Sequence, residues 1–203
     1  AYAREMTILP SEPGFGAKLA FSALPSSSAK SIEPKLAQAG YVVCSNASTH
    51  RMWDDVPLLI PEVNPEHTAL SAVQRKNRNW EGFIITNPNC TSTGLTIALR
   101  ALHDAFTLKR SFVVSMQALS GAGYPGVASL DIIDNVIPFI SGEEDKVETE
   151  PQKMLGTLVG DKIDFLPMDI SAHTNRVAVT DGHLVCTSVE FAQQVTPEDA
   201  TAA

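Results

Sequence analysis

The chain has 203 residues, a formal net charge of -8 and a pI near 5.0, and its 15 basic residues are scattered rather than gathered in a stripe. That balance argues against a nucleic-acid partner, which needs a basic face. With no apolar run of 18 residues and no signal-peptide pattern, the expectation is no membrane partner and a cytoplasmic location. Three cysteines without a CxxC pair or a Cys/His zinc spacing indicate a reducing compartment and no metal site.

In chain order, residues 1–16 carry Pro10, Pro13, Gly14 and Gly16 and read as an irregular arm. The pattern then predicts a strand at 19–24, a helix at 28–39 and a strand at 41–44. A short strand at 58–60, a helix at 66–74 and a strand at 83–86 follow. This alternation predicts a parallel, doubly wound α/β sheet. Past Cys90 the rhythm changes. A helix at 91–105 leads to a long strand at 108–119, a glycine loop and a helix near 127–135. An acidic loop at 143–148 precedes a helix after Pro151, and two strands, 165–179 and 183–191, turn at Asp181-Gly182. Long strands joined by hairpins suit a mainly antiparallel sheet with helices on one face.

Asn87-Pro88-Asn89-Cys90 is the segment that says most about chemistry. It lies where a buried strand ends and a helix begins, with Thr91, Ser92 and Thr93 offering N-cap residue types. Free amide N–H groups and the positive end of the helix dipole favour a thiolate there, the attacking form of cysteine. The bland alternative is a small buried Cys at a packed junction. Cys44 and Cys186 fit that alternative, since both fall in strand-like apolar runs.

Other residues gain meaning only together. His183 follows the Asp181-Gly182 turn, so a hairpin would bring it near Arg176; imidazole is the natural proton donor and acceptor near neutrality. Glu150 and Lys153 flank Pro151, which favours a first helical turn, so both would project from one face of a helix start. An exposed ion pair is the plain reading of those two. Gly121-Ala122-Gly123-Tyr124-Pro125-Gly126 matches G-x-G-x-x-G letter for letter. Pro125 interrupts it, and it lies too late in the chain for a dinucleotide fingerprint.

Several long motifs in one order resemble aspartate-β-semialdehyde dehydrogenase, in its archaeal and fungal branch. They are FSALPS at 21–26, SNASTHRMWDDVPLLIPEVNPEH at 45–67, TNPNCTSTG at 86–94 and MQALSGAGYPG at 116–126, followed by ISGEEDKVETEPQKMLG at 140–156 and SAHTNRVAVTDGH at 171–183. The resemblance implies NADPH-dependent reductive dephosphorylation of L-4-aspartyl phosphate to L-aspartate 4-semialdehyde, in threonine and methionine biosynthesis. It makes Cys90 the thioester-forming nucleophile, His183 the acid/base and Gln117 the group that positions the reacting centre. Arg176 corresponds to the residue that grips the α-carboxylate, Glu150 to the one that receives the amino group, and Lys153 and Arg51 to phosphate-side cations. Ser26 and Asn46, with Ser120, Gly121 and Gly123, correspond to the cofactor side. Partners implied are the small-molecule substrate, phosphate and further copies of the chain, as a homodimer or homotetramer.

The family opens with a strand and a G-x-T-G-x-x-G phosphate loop, which nothing before Ala17 supplies, and closes with further strands and a helix beyond Phe191. The expectation is therefore an incomplete Rossmann-like sheet at 1–89, a partial dinucleotide-binding domain, followed by an α+β catalytic and dimerisation domain at 90–203. On that expectation the 203 residues alone show no NADP-dependent turnover. An inactive remnant that only dimerises, or a related acyl-phosphate or acyl-CoA reductase, are the alternatives. Glu150, Lys153 and Arg176 speak against the related reductases, whose substrates lack a free α-amino acid end.

Overall fold

A computed structural model describes residues 2–203. They form two compact units, one of residues up to Pro57 plus Thr68–Asn87, the other of Leu58–His67 plus Pro88–Ala203. A single boundary between Asn89 and Cys90 does not describe this, because residues 58–67 join the second unit.

In the first unit β1 (Leu19–Ser22), β2 (Val42–Ser45) and β3 (Phe83–Thr86) make a parallel sheet in that order. Helix α1 (Ser26–Gln38) runs from β1 to β2, and α2 (Leu70–Arg78) leads into β3, following the alternation read from the sequence. Leu36 and Ala37 of α1 pack with Tyr41, Val43, Val56 and Ile84. Glu33 falls on the same helical stripe as Ala29, Leu36 and Ala37 and is fully buried. Its Oε1 accepts from the hydroxyls of Ser22 and Ser45, both at 2.6 Å, and its Oε2 accepts from Nδ1 of His50 at 2.8 Å. One carboxylate thus ties the ends of β1 and β2 to the turn that follows. Gln74 of α2 serves the open side of β3: its amide donates to the Ile84 carbonyl and its oxygen accepts from the Ile84 N–H.

The expected strand at 58–60 does not form; Leu58 makes a lone bridge. Leu58, Ile60 and Val63 are instead core residues of the second unit. Asn64 holds this excursion, accepting from the Ile60 N–H and donating to the Leu58 carbonyl and to Nδ1 of His67, whose Nε2 donates to Gly156. This apolar run bonds to the Asn64 side chain and, through the Ile60 carbonyl, to the turn at Val63 and Asn64, and not as a strand.

In the second unit α3 (Cys90–Phe106) feeds β4 (Leu108–Gln117), the central strand of a three-stranded sheet. The short helix α4 (Ser129–Ile132) replaces the helix expected near 127–135. Helix α5 (Glu143–Met154), the hairpin of β5 (Thr157–Val159) and β6 (Lys162–Asp164), and the strands β7 (Asp169–Arg176) and β8 (Leu184–Phe191) follow. A six-residue helix, α6 (Pro197–Ala202), ends the described residues with a capping box at Thr196 and Asp199.

Two expectations are corrected here. The sheet is mixed, not mainly antiparallel: β7 pairs with β4 in parallel and β8 pairs with β4 in antiparallel register. β7 and β8 therefore do not form a hairpin at Asp181-Gly182. The link between them crosses the end of β4, where Val177 donates to Gln117, and Leu119 and Ser120 donate to Val179 and Thr180. The second correction is the acidic stretch, which is helix, with Pro151 in its last turn rather than at its start. Glu143, Glu144 and Asp145 suit the positive end of that helix. Glu148 and Glu144 also accept from the N–H groups of Ala172 and Thr174, donors on the side of β7 that faces away from β4. The acids close a sheet edge, which is why they are not a solvated loop.

Along β4, Ser111, Val113, Ser115 and Gln117 point inward, while Phe112 and Val114 point outward and remain exposed, as does Leu184 of β8. Leu95 and Leu99 of α3 and Val147 and Met154 of α5 fill the core on the inner side.

Candidate active site

Asn89, not Thr91, Ser92 or Thr93, caps the helix that carries Cys90. Its Oδ1 accepts from the N–H groups of Thr91 and Ser92 at 2.9 and 3.3 Å. Pro88 keeps the chain extended up to the cap, so Cys90 becomes the first helical residue. Thr93 instead turns its hydroxyl back to the Asn89 carbonyl. Glu150 lies beneath this turn, 2 % exposed, and accepts from the Asn89 N–H at 2.6 Å. Glu143 accepts from the Asn89 side-chain amide at 2.8 Å. Two carboxylates from α5 therefore fix the cap from which Cys90 projects.

Cys90 is exposed, and its Sγ lies 3.3 Å from Nε2 of His183. His183 Nδ1 accepts from the N–H of Ala118 at 3.0 Å. Burial, then the positive charge of Arg176, push His183 below the usual histidine range, with Glu143 opposing. Arg176 itself is buried, and its Nη1 donates to the Ala118 carbonyl at 2.7 Å. A Cβ on Gly121 would lie 2.8 Å from that Nη1 and 2.9 Å from His183 Cε1. Glycine there lets the loop lie against both side chains at once. Gln117, at the end of β4, donates to Glu143 at 3.3 Å.

The structure thus gathers Cys90, His183, Gln117, Arg176 and the Gly121 loop, and adds Glu143, which sequence reasoning missed. Burial pushes the Glu143 carboxyl up, but donors from Lys146, Asn89 and Gln117 outweigh it and hold it below the usual carboxylate range. Gly142 in the left-handed region before an acidic first turn was the signal that could have found this helix start. Lys153, on the same helix, is 1 % exposed. Ser120 and Gly123 belong to the turn after β4, and Gly123 has a φ of +68°. The G-x-G-x-x-G loop opens only the four-residue α4, as expected of a false dinucleotide match.

Three predicted residues belong to the first unit. Ser26, at the start of α1, shares a 3.1 Å hydrogen bond with Ser48. Asn46, just after β2, accepts from Asn87 at 2.7 Å. Arg51 is buried and donates from Nη2 to the Asn46 carbonyl at 2.9 Å. Among the described residues no helix is long and apolar enough to cross a membrane, and no group of three or more His, Cys, Asp or Glu side chains could hold a metal.

The cysteine–histidine pair at a helix start lies within the mixed-sheet unit, which in sequence follows most of a parallel-sheet unit. The chain belongs to the semialdehyde dehydrogenase family: residues 99–203 match its dimerisation domain and residues 3–71 its NAD-binding domain. Within the family it is similar to aspartate-semialdehyde dehydrogenases. It is 56 % identical to that of Archaeoglobus fulgidus over 99 % of this chain and 59 % of the relative, and 46 % identical to that of Schizosaccharomyces pombe over 86 % and 50 %. The crystal structure of the Candida albicans enzyme with NADP superposes with a TM-score of 0.88 at 36 % identity, over 99 % of this chain and 60 % of that one. The chain therefore spans about 59 % of the Archaeoglobus relative's length.

Proposed function

We propose that these residues carry the acyl-transfer chemistry of an NADP-dependent aspartate-semialdehyde dehydrogenase, turning L-4-aspartyl phosphate into L-aspartate 4-semialdehyde and phosphate. The single observation behind this reading is the 3.3 Å approach of Cys90 Sγ to His183 Nε2 at the start of α3. Sulfur attacks the acyl carbon, the carbon–oxygen bond to phosphate breaks, and phosphate leaves with its electron pair. When bound, NADPH supplies a hydride to the resulting thioester. His183, with Nε2 beside the sulfur, takes the thiol proton as the bond forms and can return it to the acyl oxygen as negative charge develops there.

Each unit by itself carries residues that suit such a cofactor. Ser26 and Asn46 follow the carboxyl ends of β1 and β2, where open α/β sheets bind ligands. Gly121 keeps a Cβ out of the space beside Arg176 and His183. For the substrate, Arg176 suits the α-carboxylate as a planar fork. Glu143 suits the α-amino group better than Glu150, which is buried against the Asn89 N–H. Lys146, paired with Glu143 at 2.6 Å and 32 % exposed, offers a cation more open than Lys153. The outward Phe112, Val114 and Leu184 support a second copy of the chain as partner, because these apolar side chains stay exposed on the outer face of the sheet. Cytoplasm is the proposed location.

Brief iodoacetamide treatment at pH 7 with peptide mapping tests the core of this reading. Cys90 is expected to label first: Cys44 is half-buried and burial pushes its thiol up, and Cys186 lies in the middle of β8 rather than at a helix start. Equal labelling of all three in folded protein sinks the assignment. Arg176→Lys is expected to slow acylation of Cys90 by dilute L-4-aspartyl phosphate about 10- to 100-fold, since a point charge replaces two charged hydrogen bonds worth about 1.5–3 kcal/mol. An unchanged rate removes Arg176 from the substrate site.

A further inference from the structure

An asparagine at a helix start ordinarily uses one end of its side chain. The oxygen accepts from the first free N–H groups, and the amide nitrogen is left to water. Asn89 uses both ends. Its Oδ1 accepts from Thr91 and Ser92 at 2.9 and 3.3 Å, while its own N–H goes to Glu150 at 2.6 Å and its carbonyl takes the Thr93 N–H. Its Nδ2 then donates at 2.8 Å to Oε2 of Glu143, 54 residues along the chain. The partners decide which end is which: two N–H groups require the oxygen, and a carboxylate requires the nitrogen. Asn89 is buried, so these bonds meet little competition from water.

We propose, resting on the reading in which Glu143 receives the substrate's amino group, that Asn89 is the positioning residue that makes acylation of Cys90 depend on that group. One planar amide spans both places. Its oxygen sets the first turn of α3, from which Cys90 projects, and its nitrogen sets the Glu143 carboxylate. Lys146 holds the other carboxylate oxygen at 2.6 Å, but it lies three residues along the same helix and ties Glu143 only to α5. Gln117 reaches Oε2 from β4, at 3.3 Å. Asn89 is therefore the shorter tie, and it is the one that joins Glu143 to the helix bearing the nucleophile. An ammonium seated on Glu143 then presents the acyl carbon to sulfur at a set distance, and a substrate without that ammonium gains nothing from the link. Residue type follows from the same geometry. Aspartate caps a helix as well as asparagine, but it would set a second carboxylate against Glu143. Serine also caps, but its side chain ends a bond short of Glu143.

Asn89→Ser thus keeps the cap and cuts the link. Acylation needs no cofactor, and every residue of this argument lies in the second unit, so the 203-residue chain serves for the test. The probes are L-4-aspartyl phosphate and succinyl phosphate, the same acyl phosphate without the amino group. Phosphate release is followed against probe concentration, and peptide mass locates the adduct on Cys90. The parent is expected to favour L-4-aspartyl phosphate, and Asn89→Ser to lose at least about tenfold of that preference, the effect of one hydrogen bond to a charged group. A merely structural disturbance would slow both probes alike, and an unchanged ratio overturns the inference. Carbon-13 titration of the Glu143 carboxyl gives a second readout that needs no substrate. Burial raises this pKa while donors from Lys146 and Asn89 lower it, so the midpoint in Asn89→Ser is expected above the parent's. An unmoved midpoint is equally fatal. Asn89→Thr, which caps in the same way, takes both measurements if the serine variant does not fold. A parent that acylates Cys90 equally with the two probes overturns the amino-group reading of Glu143, and this inference with it. Absence of a Cys90 adduct from either probe overturns the thioester reading beneath both.

Discussion

Cys90→Ser is expected to reduce acyl-enzyme formation from p-nitrophenyl acetate or L-4-aspartyl phosphate by about 10⁴-fold or more at pH 7, about 5 kcal/mol in barrier. A serine hydroxyl is a poor nucleophile unless a base removes its proton. In serine hydrolases a histidine with a free nitrogen does so. His183 is placed for sulfur, with Nε2 3.3 Å from Cys90 Sγ. A hydroxyl is far less acidic than a thiol, so the same histidine activates it far less. Packing does not confuse the test, since Cys90 is exposed and the cap is made by Asn89. Nitrophenolate release and intact mass measure it. A serine variant that acylates within tenfold of the parent would show that some other group acts as base or nucleophile.

How far the sequence could be read depended on the range of the partners. The β1–α1–β2 and α2–β3 alternation and the helix at Cys90 were legible because apolar spacing is local. The acidic stretch at 143–148 was not. Its charges looked solvated, yet Glu144 and Glu148 serve N–H groups 30 and 24 residues away on β7. The hairpin at Asp181-Gly182 failed for a similar reason: turn chemistry was right for a reversal, but β4 had already taken the place between the two strands. Proximity of His183 to Arg176 nevertheless held, because both converge on Gly121. Of the candidate site residues, Cys90, His183 and Gln117 are singled out by motif position. Glu143 is not, since two of its three donors, Asn89 and Gln117, lie 54 and 26 residues away on other elements.

The same principle governs the largest expected loss of stability, which lies in the first unit. Glu33→Ala is expected to cost about 3–5 kcal/mol, as when one member of a buried charged network is removed. Two serine hydroxyls and Nδ1 of His50 would lose their acceptor in a fully buried place. Glu33→Gln keeps an oxygen for the serines and should cost less. Acid separates charge from shape. Burial raises the Glu33 pKa, but hydrogen bonds from His50, Ser22 and Ser45 outweigh it, so the folded value lies below the ordinary 4.5. A carboxyl depressed on folding stabilises the fold above its unfolded value, and that contribution fades as pH falls through the folded one. Urea unfolding, read from amide exchange in β1 and β2, should therefore show the parent losing its advantage over Glu33→Gln as pH drops below about 4.5. A gap between parent and variant that stays constant from pH 7 to below the folded value would mean that Glu33 contributes shape alone, and that its charge is not what joins the two strand ends.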